Sequence, residues 1–396
     1  MSRICITGMG VISAIGNSVS TNREALQQGV TGISKTSSFL SRYAGQLPFA
    51  EVKTTTAALQ QRLNITQAGV TRTSLLALHA VQEAIADAKL TASELTENHT
   101  ALIGASTVGG MCLTDELYAD ANSKTGVGSE YVASYDNASV TLFLQKYYGI
   151  GGIVNTINTA CSSSANAIAF GAGLIKNGLA KRAIVGGADS LAKFTINGFK
   201  ALHILSDAPC APFDAERKGL NLGEAGAFLV LEKEEDLKGR KAYGMVSGYG
   251  NSNDSFHPSS ISPEGKGPFL SMRQAIAMAD LKPAMIDVIN AHGTATENND
   301  ATESVAMQRL FDKVPVFMST KSYTGHTLGA AGAIEAIYSL LKLYYGEVYK
   351  SLQFNKPITA TGLVPQLQYD SMALQHIMSN SFGFGGNCSS LVFSKI

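Results

Sequence analysis

Residues 151–178 read GGIVNTINTACSSSANAIAFGAGLIKNG. The apolar, β-branched run from Ile153 to Ile157 leads into a polar turn, and the turn opens a small-residue segment with helical spacing. Strand, turn and helix in succession make the repeating unit of an α/β fold. The turn carries one cysteine, Cys161, with Ala160, Ser162 and Ser163 around it. Most lone cysteines of this kind are small buried hydrophobes. A cysteine at the start of a helix is also placed for nucleophilic work. The partial positive charge and free N–H groups of the helix N-terminus favour thiolate and lower the thiol pKa. The N–H of the cysteine can hold an oxyanion, and small neighbours leave room for a thioester. The serines read as caps on the first turn.

The same unit recurs along the chain. RICITGMGVI (3–12), TALIGAS (100–106), RAIVGGAD (182–189) and AGAFLVLEK (225–233) read as strands. RTSLLALHAVQEAIADAKL (72–90) reads as an amphipathic helix through Leu75, Leu78, Val81, Ile85 and Ala88. The charged run EKEEDLKGRK (232–241) reads as a solvated connection, after which the pattern restarts. KAYGMVSGYG, MIDVINAHGTAT and VPVFMSTK are strands; GKGPFLSMRQAIAMADL and HTLGAAGAIEAIYSLLKLYYG are helices; IMSNSFGFGGNCSSLVFSKI is a closing hairpin. ALIGASTVGG corresponds to VINAHGTATE, and NTACSSSANAIAFGAGLIKNG to MSTKSYTGHTLGAAGAIEAIY. This is an internal duplication with halves at 1–240 and 241–396, packed as one unit because no low-complexity linker divides them.

Composition narrows the function. The 31 basic and 31 acidic residues cancel, and no long basic run points to nucleic acid. Five scattered cysteines without a CxxC pair suit a reducing compartment, and the first residues lack a signal-peptide pattern, so a cytoplasmic location is expected. No stretch of about 18 apolar residues predicts a membrane span.

Chemistry-bearing residues gather in turns after apolar strands, where α/β folds assemble sites. One turn holds Cys161; AHGTATENND holds His292; STKSYTGHTLGAAG holds Lys321 and His326; NSFGFGGN is glycine-rich. Each histidine could equally be a cap or a packed core residue. A lysine in apolar flanks needs a partner, and Glu335 is an available counter-charge. Zinc is disfavoured because Cys161, His292 and His326 include no close ligand pair in sequence. No local signature of a cysteine protease surrounds Cys161.

Together TACSSS, HGTATENND, KSYTGHTLGAAG and NSFGFGG resemble the β-ketoacyl-acyl carrier protein synthases, the elongating Cys-His-His condensing enzymes of the thiolase superfamily. The order and spacing match along essentially the whole chain. The resemblance implies an α/β, thiolase-like fold in which two duplicated halves form a five-layered αβαβα sandwich, with two central sheets between helix layers. It implies Cys161 as the nucleophile, His292 and His326 as donors to a forming enolate, and Lys321 with Glu335 as an orienting pair. It implies an oxyanion hole from the N–H groups of Cys161 and Phe384, and pantetheine contacts from Thr294 and Thr296. Gating loops would contain Gly383, Phe384, Gly385, Asp254 and His257. An acyl pocket would be lined by Val108, Phe199, Tyr135 and Asp136. No metal or other cofactor is implied. The partners implied are an acyl carrier protein and a second subunit, in a homodimer or in a heterodimer with a chain-length-factor-like paralogue.

Departures from the family pattern suggest a specialised pathway, of type II polyketide or aryl-polyene kind. Lys218, Leu220 and Ala225 are unusual in RKGLNLGEAGAFLVLE, and the polar EYVASYDNASV replaces an apolar segment at the dimer contact. A lightly basic rim, Lys200 with Arg62 and Arg72, is expected for carrier docking. The alternatives are a housekeeping fatty-acid synthase and a non-catalytic chain-length-factor-like subunit; the latter lacks the nucleophile that this chain retains.

Overall fold

The computed structural model of the chain describes residues 3–35, 41–123 and 132–396. Its strands are β1 (Ile4–Ile12), β2 (Thr100–Ala105), β3 (Val154–Ile157), β4 (Arg182–Asp189), β5 (Ala225–Lys233), β6 (Met245–Asn253), β7 (Val288–Asn290), β8 (Val316–Met318), the short pair β9 (Glu347–Val348) and β10 (Asp370–Ser371), β11 (His376–Phe382) and β12 (Asn387–Ser394). The large sheet runs β3-β2-β4-β5-β1-β6-β12-β11-β7-β8. Its two ends mirror each other. In the first half β3, β2 and β4 are parallel, and β5 and β1 follow antiparallel. In the second half β8, β7 and β11 are parallel, and β12 and β6 follow antiparallel. Identical order and polarity in both halves give the duplication read from sequence a structural form.

The halves join in the sheet where β1 meets β6, through the pairs Ile4↔Val246 and Cys5↔Met245 and the backbone bonds of Ile6 to Tyr243 and Gly244. The two central sheets expected are therefore two five-stranded units sharing an edge. Between their inner faces lie the helices Ser163–Lys176 and Ala331–Tyr345, in the largest apolar cluster. Helix Arg72–Asp87 covers the outer face of the first half, and Lys266–Met278 with Glu297–Leu310 covers that of the second. Five layers result.

The two inner helices touch because their residues are small. A Cβ on Gly332 would stand 2.5 Å from the backbone nitrogen of Ala165 and 2.7 Å from its Cβ. Ser164 Oγ fixes the contact by accepting the Ala333 N–H at 2.8 Å. This crossing joins the cysteine-bearing half to the histidine-bearing half.

The connection at 232–241 is less solvated than its charges predict. Glu232 is buried, where it accepts from Thr7 Oγ1 at 2.8 Å and from Arg240 at 2.7 Å. Arg240 also binds Glu94. The network ties the start of the linker back onto the first half. Among the described residues no helix is long and apolar enough to cross a membrane.

Candidate active site

Cys161 lies at the mouth of the Ser163–Lys176 helix, behind a sharp bend. Ala160 holds a left-handed backbone, φ 55°, an uncommon conformation for a residue other than glycine. The serines do not cap the first turn, contrary to the sequence expectation. Ser162 Oγ donates to Thr159 O at 2.7 Å and meets Asn387 Oδ1; Ser163 Oγ accepts the Thr159 N–H. They brace the bend and bind it to β12.

Four further segments converge on the sulfur. His326 Nε2 is 3.0 Å from Cys161 Sγ. His326 Nδ1 accepts the Leu328 N–H at 3.2 Å, so in the neutral ring Nε2 carries the proton and donates to sulfur. The backbone N–H groups of Phe384 and of Cys161 itself also face the sulfur. The His292 ring stands against His326 edge-on, with centroids 5.5 Å apart. Lys321 Nζ donates to His292 O at 2.6 Å and to Glu335 Oε1 at 2.5 Å, and lies 3.2 Å from His292 Nδ1. The ammonium therefore fixes the His292 tautomer, leaving the proton on Nε2.

Both histidines are held neutral. Burial, then the charge of Lys321, brings each well below the ordinary imidazole range. The thiol corrects the sequence expectation. Burial pushes Cys161 up to about 11, against the lowering effects of Lys321 and the N–H groups of Phe384 and Cys161. Desolvation outweighs the helix terminus, so the resting group is a thiol.

Cys161, His292 and His326 come together despite their distance in sequence, with one ligand atom of each within 4.8 Å of the others. Three such groups resemble a metal set, but the donor chemistry does not fit. Each Nδ1 already has a protein partner, and the other nitrogen bears a proton rather than a free lone pair.

The sequence reading overlooked the carboxylates that shape this site. Glu303 is fully buried and accepts the N–H groups of His292 and Gly293, both at 2.9 Å, and Asn380 Nδ2 at 3.1 Å. Burial first, opposed by these bonds, brings it up to about 7. Asp300 holds Ala295 and Phe213 by their N–H groups. Asp189 holds Ser106, Thr107, Val108 and Gly329. The signal for Glu303 and Asp300 was a helix at 297–310 without an apolar stripe, which buries Asn299, Asp300 and Glu303.

The site opens into a cavity of about 750 Å³ lined by Phe199, Thr294, Thr296, Phe382 and Phe384 among others. Thr294 and Thr296 share a hydroxyl contact of 2.8 Å on its wall. Phe384 stacks on Phe199 with centroids 5.6 Å apart. The two expected loops are bonded together. Asp254 N–H donates to Gly386 O, and Gly385 N–H to Pro258 O beside exposed His257. A Cβ on Gly383 would stand 2.6 Å from Thr159 O, so this loop lies directly on the cysteine bend.

Other expected residues lie elsewhere. Val108 is buried in a separate apolar cluster with Leu191, Ile196 and Leu328, against which Phe199 packs. Tyr135 and Asp136, expected beside an acyl chain, are exposed; Asp136 Oδ1 instead accepts the Ala138 N–H, as a turn residue does. Glu130 and Tyr131 of the same stretch lie outside the described residues. Arg72 is not on a docking rim, because it is locked onto buried Glu224 and Val52 O. Arg62 is exposed and Lys200 half-buried.

Residues 1–237 match the family model described as "Beta-ketoacyl synthase, N-terminal domain", and residues 243–355 match "Beta-ketoacyl synthase, C-terminal domain". The chain belongs to the β-ketoacyl synthase family. It is 32% identical to 3-oxoacyl-(acyl-carrier-protein) synthase 1 of Haemophilus influenzae, covering 100% of this chain and 99% of that one. Its structure is similar to "The ishigamide ketosynthase/chain length factor", with TM-score 0.93, 27% identity, and 100% and 99% of the chains covered. A second similar structure is a ketosynthase (ApeO) in complex with its chain length factor (ApeC) from Xenorhabdus doucetiae, with TM-score 0.88, 31% identity, and 100% and 98% covered. The ketosynthase reading explains why a thiol and two neutral imidazoles share one cavity, with a buried lysine behind His292.

Proposed function

We propose that this ketosynthase catalyses decarboxylative condensation between an acyl group held on Cys161 and malonyl-acyl carrier protein. The observation that carries this is the set of N–H donors around one buried thiol: His326 Nε2–H, Phe384 N–H and Cys161 N–H, with neutral His292 alongside. Sulfur attacks the thioester of the acyl-carrier protein, its proton leaves with the carrier thiol, and the acyl group moves to Cys161. Malonyl-carrier protein then loses carbon dioxide. The electron pair of the broken C–C bond moves onto the thioester oxygen, where two imidazole N–H groups stabilise the enolate. The enolate carbon attacks the acyl thioester on Cys161. The N–H groups of Cys161 and Phe384 hold the tetrahedral oxyanion until the thiolate leaves. Thr294 and Thr296 bind the pantetheine amides, and Phe384 gates the pocket. No metal or other cofactor takes part.

The pathway proposed is specialised type II polyketide or aryl-polyene synthesis, in the cytoplasm. The similarity to ketosynthases that work with a chain length factor supports it, as do the unusual Lys218 at the cavity wall and the polar stretch at 132–140. The partners are an acyl carrier protein and a second subunit, another copy or a chain-length-factor-like paralogue. Among the described residues β3 ends the sheet with an unpaired edge. Beside it Leu142, Tyr147, Ile153 and Phe170 are exposed. An open apolar edge is a pairing template.

The test is transfer of radiolabel from acyl-carrier protein to protein, with Cys161→Ala as control. Label should appear on the parent alone, and an aryl-polyenoyl carrier should compete better than a saturated acyl carrier of similar length. Label retained by Cys161→Ala would refute the nucleophile, and equal competition would refute the specialised substrate.

A further inference from the structure

Helix Ala331–Tyr345 carries a second buried cation, Lys342, which the chemistry above does not use. An ammonium in such a place is costly unless it meets an acceptor or an opposite charge. Lys342 Nζ donates to Asn290 Oδ1 at 2.6 Å. Asn290 ends β7, two residues before His292. Glu335 lies two turns earlier on the same face of the helix. Long helical side chains lean toward the N-terminus, which brings the Lys342 ammonium toward the carboxylate. Each charge favours the other: Lys342 helps keep Glu335 anionic, and Glu335 helps keep Lys342 cationic.

A closed ring of contacts follows. Lys342 binds Asn290; β7 runs on to His292; Lys321 binds His292 and Glu335; the helix returns to Lys342. We propose that Lys342 is a positioning residue: anchored on Asn290, its ammonium stands behind Glu335 and keeps that carboxylate ionised, so that Lys321 stays clamped against His292. The proposal rests on the condensation reading of the site.

Burial raises Glu335, and two cations oppose that effect, Lys321 more strongly than Lys342. If Glu335 took a proton, Lys321 would lose its counter-charge and its hold on His292 Nδ1. The imidazole would then no longer be fixed as an Nε2–H donor to the enolate. Acyl transfer to Cys161 depends instead on His326 and the two backbone N–H groups. Loss of Lys342 should therefore separate the two half-reactions.

Burial brings Lys342 itself down to about 7, against the field of Glu335. Its charge fades as pH rises through that value. The groups facing it are Glu335 on its own helix, Lys321 beyond Glu335, Asn290 from β7, and Tyr349, whose ring centroid is 5.8 Å away. Glu303, also near 7, acts with the opposite sign, because it loses its charge as pH falls.

The experiment measures malonyl-carrier protein decarboxylation and Cys161 acylation in parallel between pH 6 and 9, on the purified enzyme with any subunit that accompanies it. Lys342→Met keeps the length and removes the charge. Decarboxylation at the acid end should fall about 10- to 100-fold, acylation should stay within about threefold, and the deficit should close toward the alkaline end, where Glu335 ionises without help. Asn290→Asp places a carboxylate against the ammonium, cancels part of its field at Glu335 and should move the acid-side loss of decarboxylation to higher pH. This second variant creates no cavity, so it reads out even if Lys342→Met does not fold. Lys342→Met with parental decarboxylation, or Asn290→Asp with an unmoved profile, would overturn the proposal. A parent that neither acylates Cys161 nor decarboxylates the malonyl carrier would overturn the condensation reading and this proposal with it.

Discussion

Gly332→Ala should disable the enzyme from a position that touches no substrate. The new Cβ would stand 2.5 Å from Ala165 N and 2.7 Å from Ala165 Cβ, and its opposing atoms belong to a helix rather than to a flexible side chain. Ordinary contact needs about 3.4–4 Å, so the two central helices must part by roughly 1 Å. Ala165 lies one turn from Cys161, and Gly332 lies just beyond His326. The separation is therefore added almost directly to the 3.0 Å contact between His326 Nε2 and Cys161 Sγ. Misplacement of about 1 Å costs on the order of 10²-fold in rate. Overpacking costs about 1–3 kcal/mol. For a chain of 396 residues that lowers the melting temperature by roughly 1–4 °C. Acyl transfer to Cys161 and malonyl decarboxylation should both be measured, beside a thermal melt. Gly173→Ala is the control on the facing helix, because its Cβ would meet only Tyr249 Oη at 3.4 Å. Parental rates and melting in Gly332→Ala would refute the idea that this crossing sets the distance between thiol and imidazole.

His292→Ala and His326→Ala should each slow decarboxylation by on the order of 10²–10³ while leaving some acylation of Cys161; a parental decarboxylation rate in either variant would remove that histidine from the mechanism. Phe199→Ala removes the ring stacked on Phe384, worth about 0.5–1.5 kcal/mol. Labelling of Cys161 by a bulky thiol reagent should then speed up roughly 2–10-fold, and unchanged labelling would show that the stack does not restrain the gate. Glu303 binds a proton up to about pH 7 when folded and only to 4.5 in its unperturbed state. Across that window the native state holds more protons than the unfolded one, so this group makes stability fall as pH rises, by about 3 kcal/mol in all. Urea titrations should show a flatter pH dependence for Glu303→Gln than for the parent, and parallel curves would contradict the assignment.

The strands and the central helices were legible because each has a local signature, whereas Cys161, His292, Lys321 and His326 became legible as one site only through their joint resemblance to the family. Apolar runs end in polar turns, and a lysine in apolar flanks demands a partner. Duplication was legible through corresponding turns, although only pairing shows that the two halves share strand order and polarity. The thiol pKa was not legible. A helix terminus is visible in sequence, whereas the desolvation that overrides it exists only once the chain has folded around the thiol. Glu303 and Asp300 were missed for a related reason: a buried polar helix face looks in sequence like a solvated one. Tyr135 and Asp136 are exposed in the single chain, and a polar segment at an expected subunit contact carries no information in sequence about which way its side chains turn.

Cys161 and the imidazoles of His292 and His326 come from opposite halves, joined in the sheet by a short run of pairing between β1 and the start of β6. That arrangement orders events during synthesis. Cys161 leaves the ribosome well before His292, Lys321 and His326, and the thiol then has no Nε2–H donors and no apolar lid from the second half. Until the Ala331–Tyr345 helix docks, the nascent chain carries an ordinary surface thiol and cannot bind or consume a malonyl thioester. Completion of the polypeptide is thus what switches the chemistry on, and a truncated product is inert toward the carrier pool rather than wasteful of it.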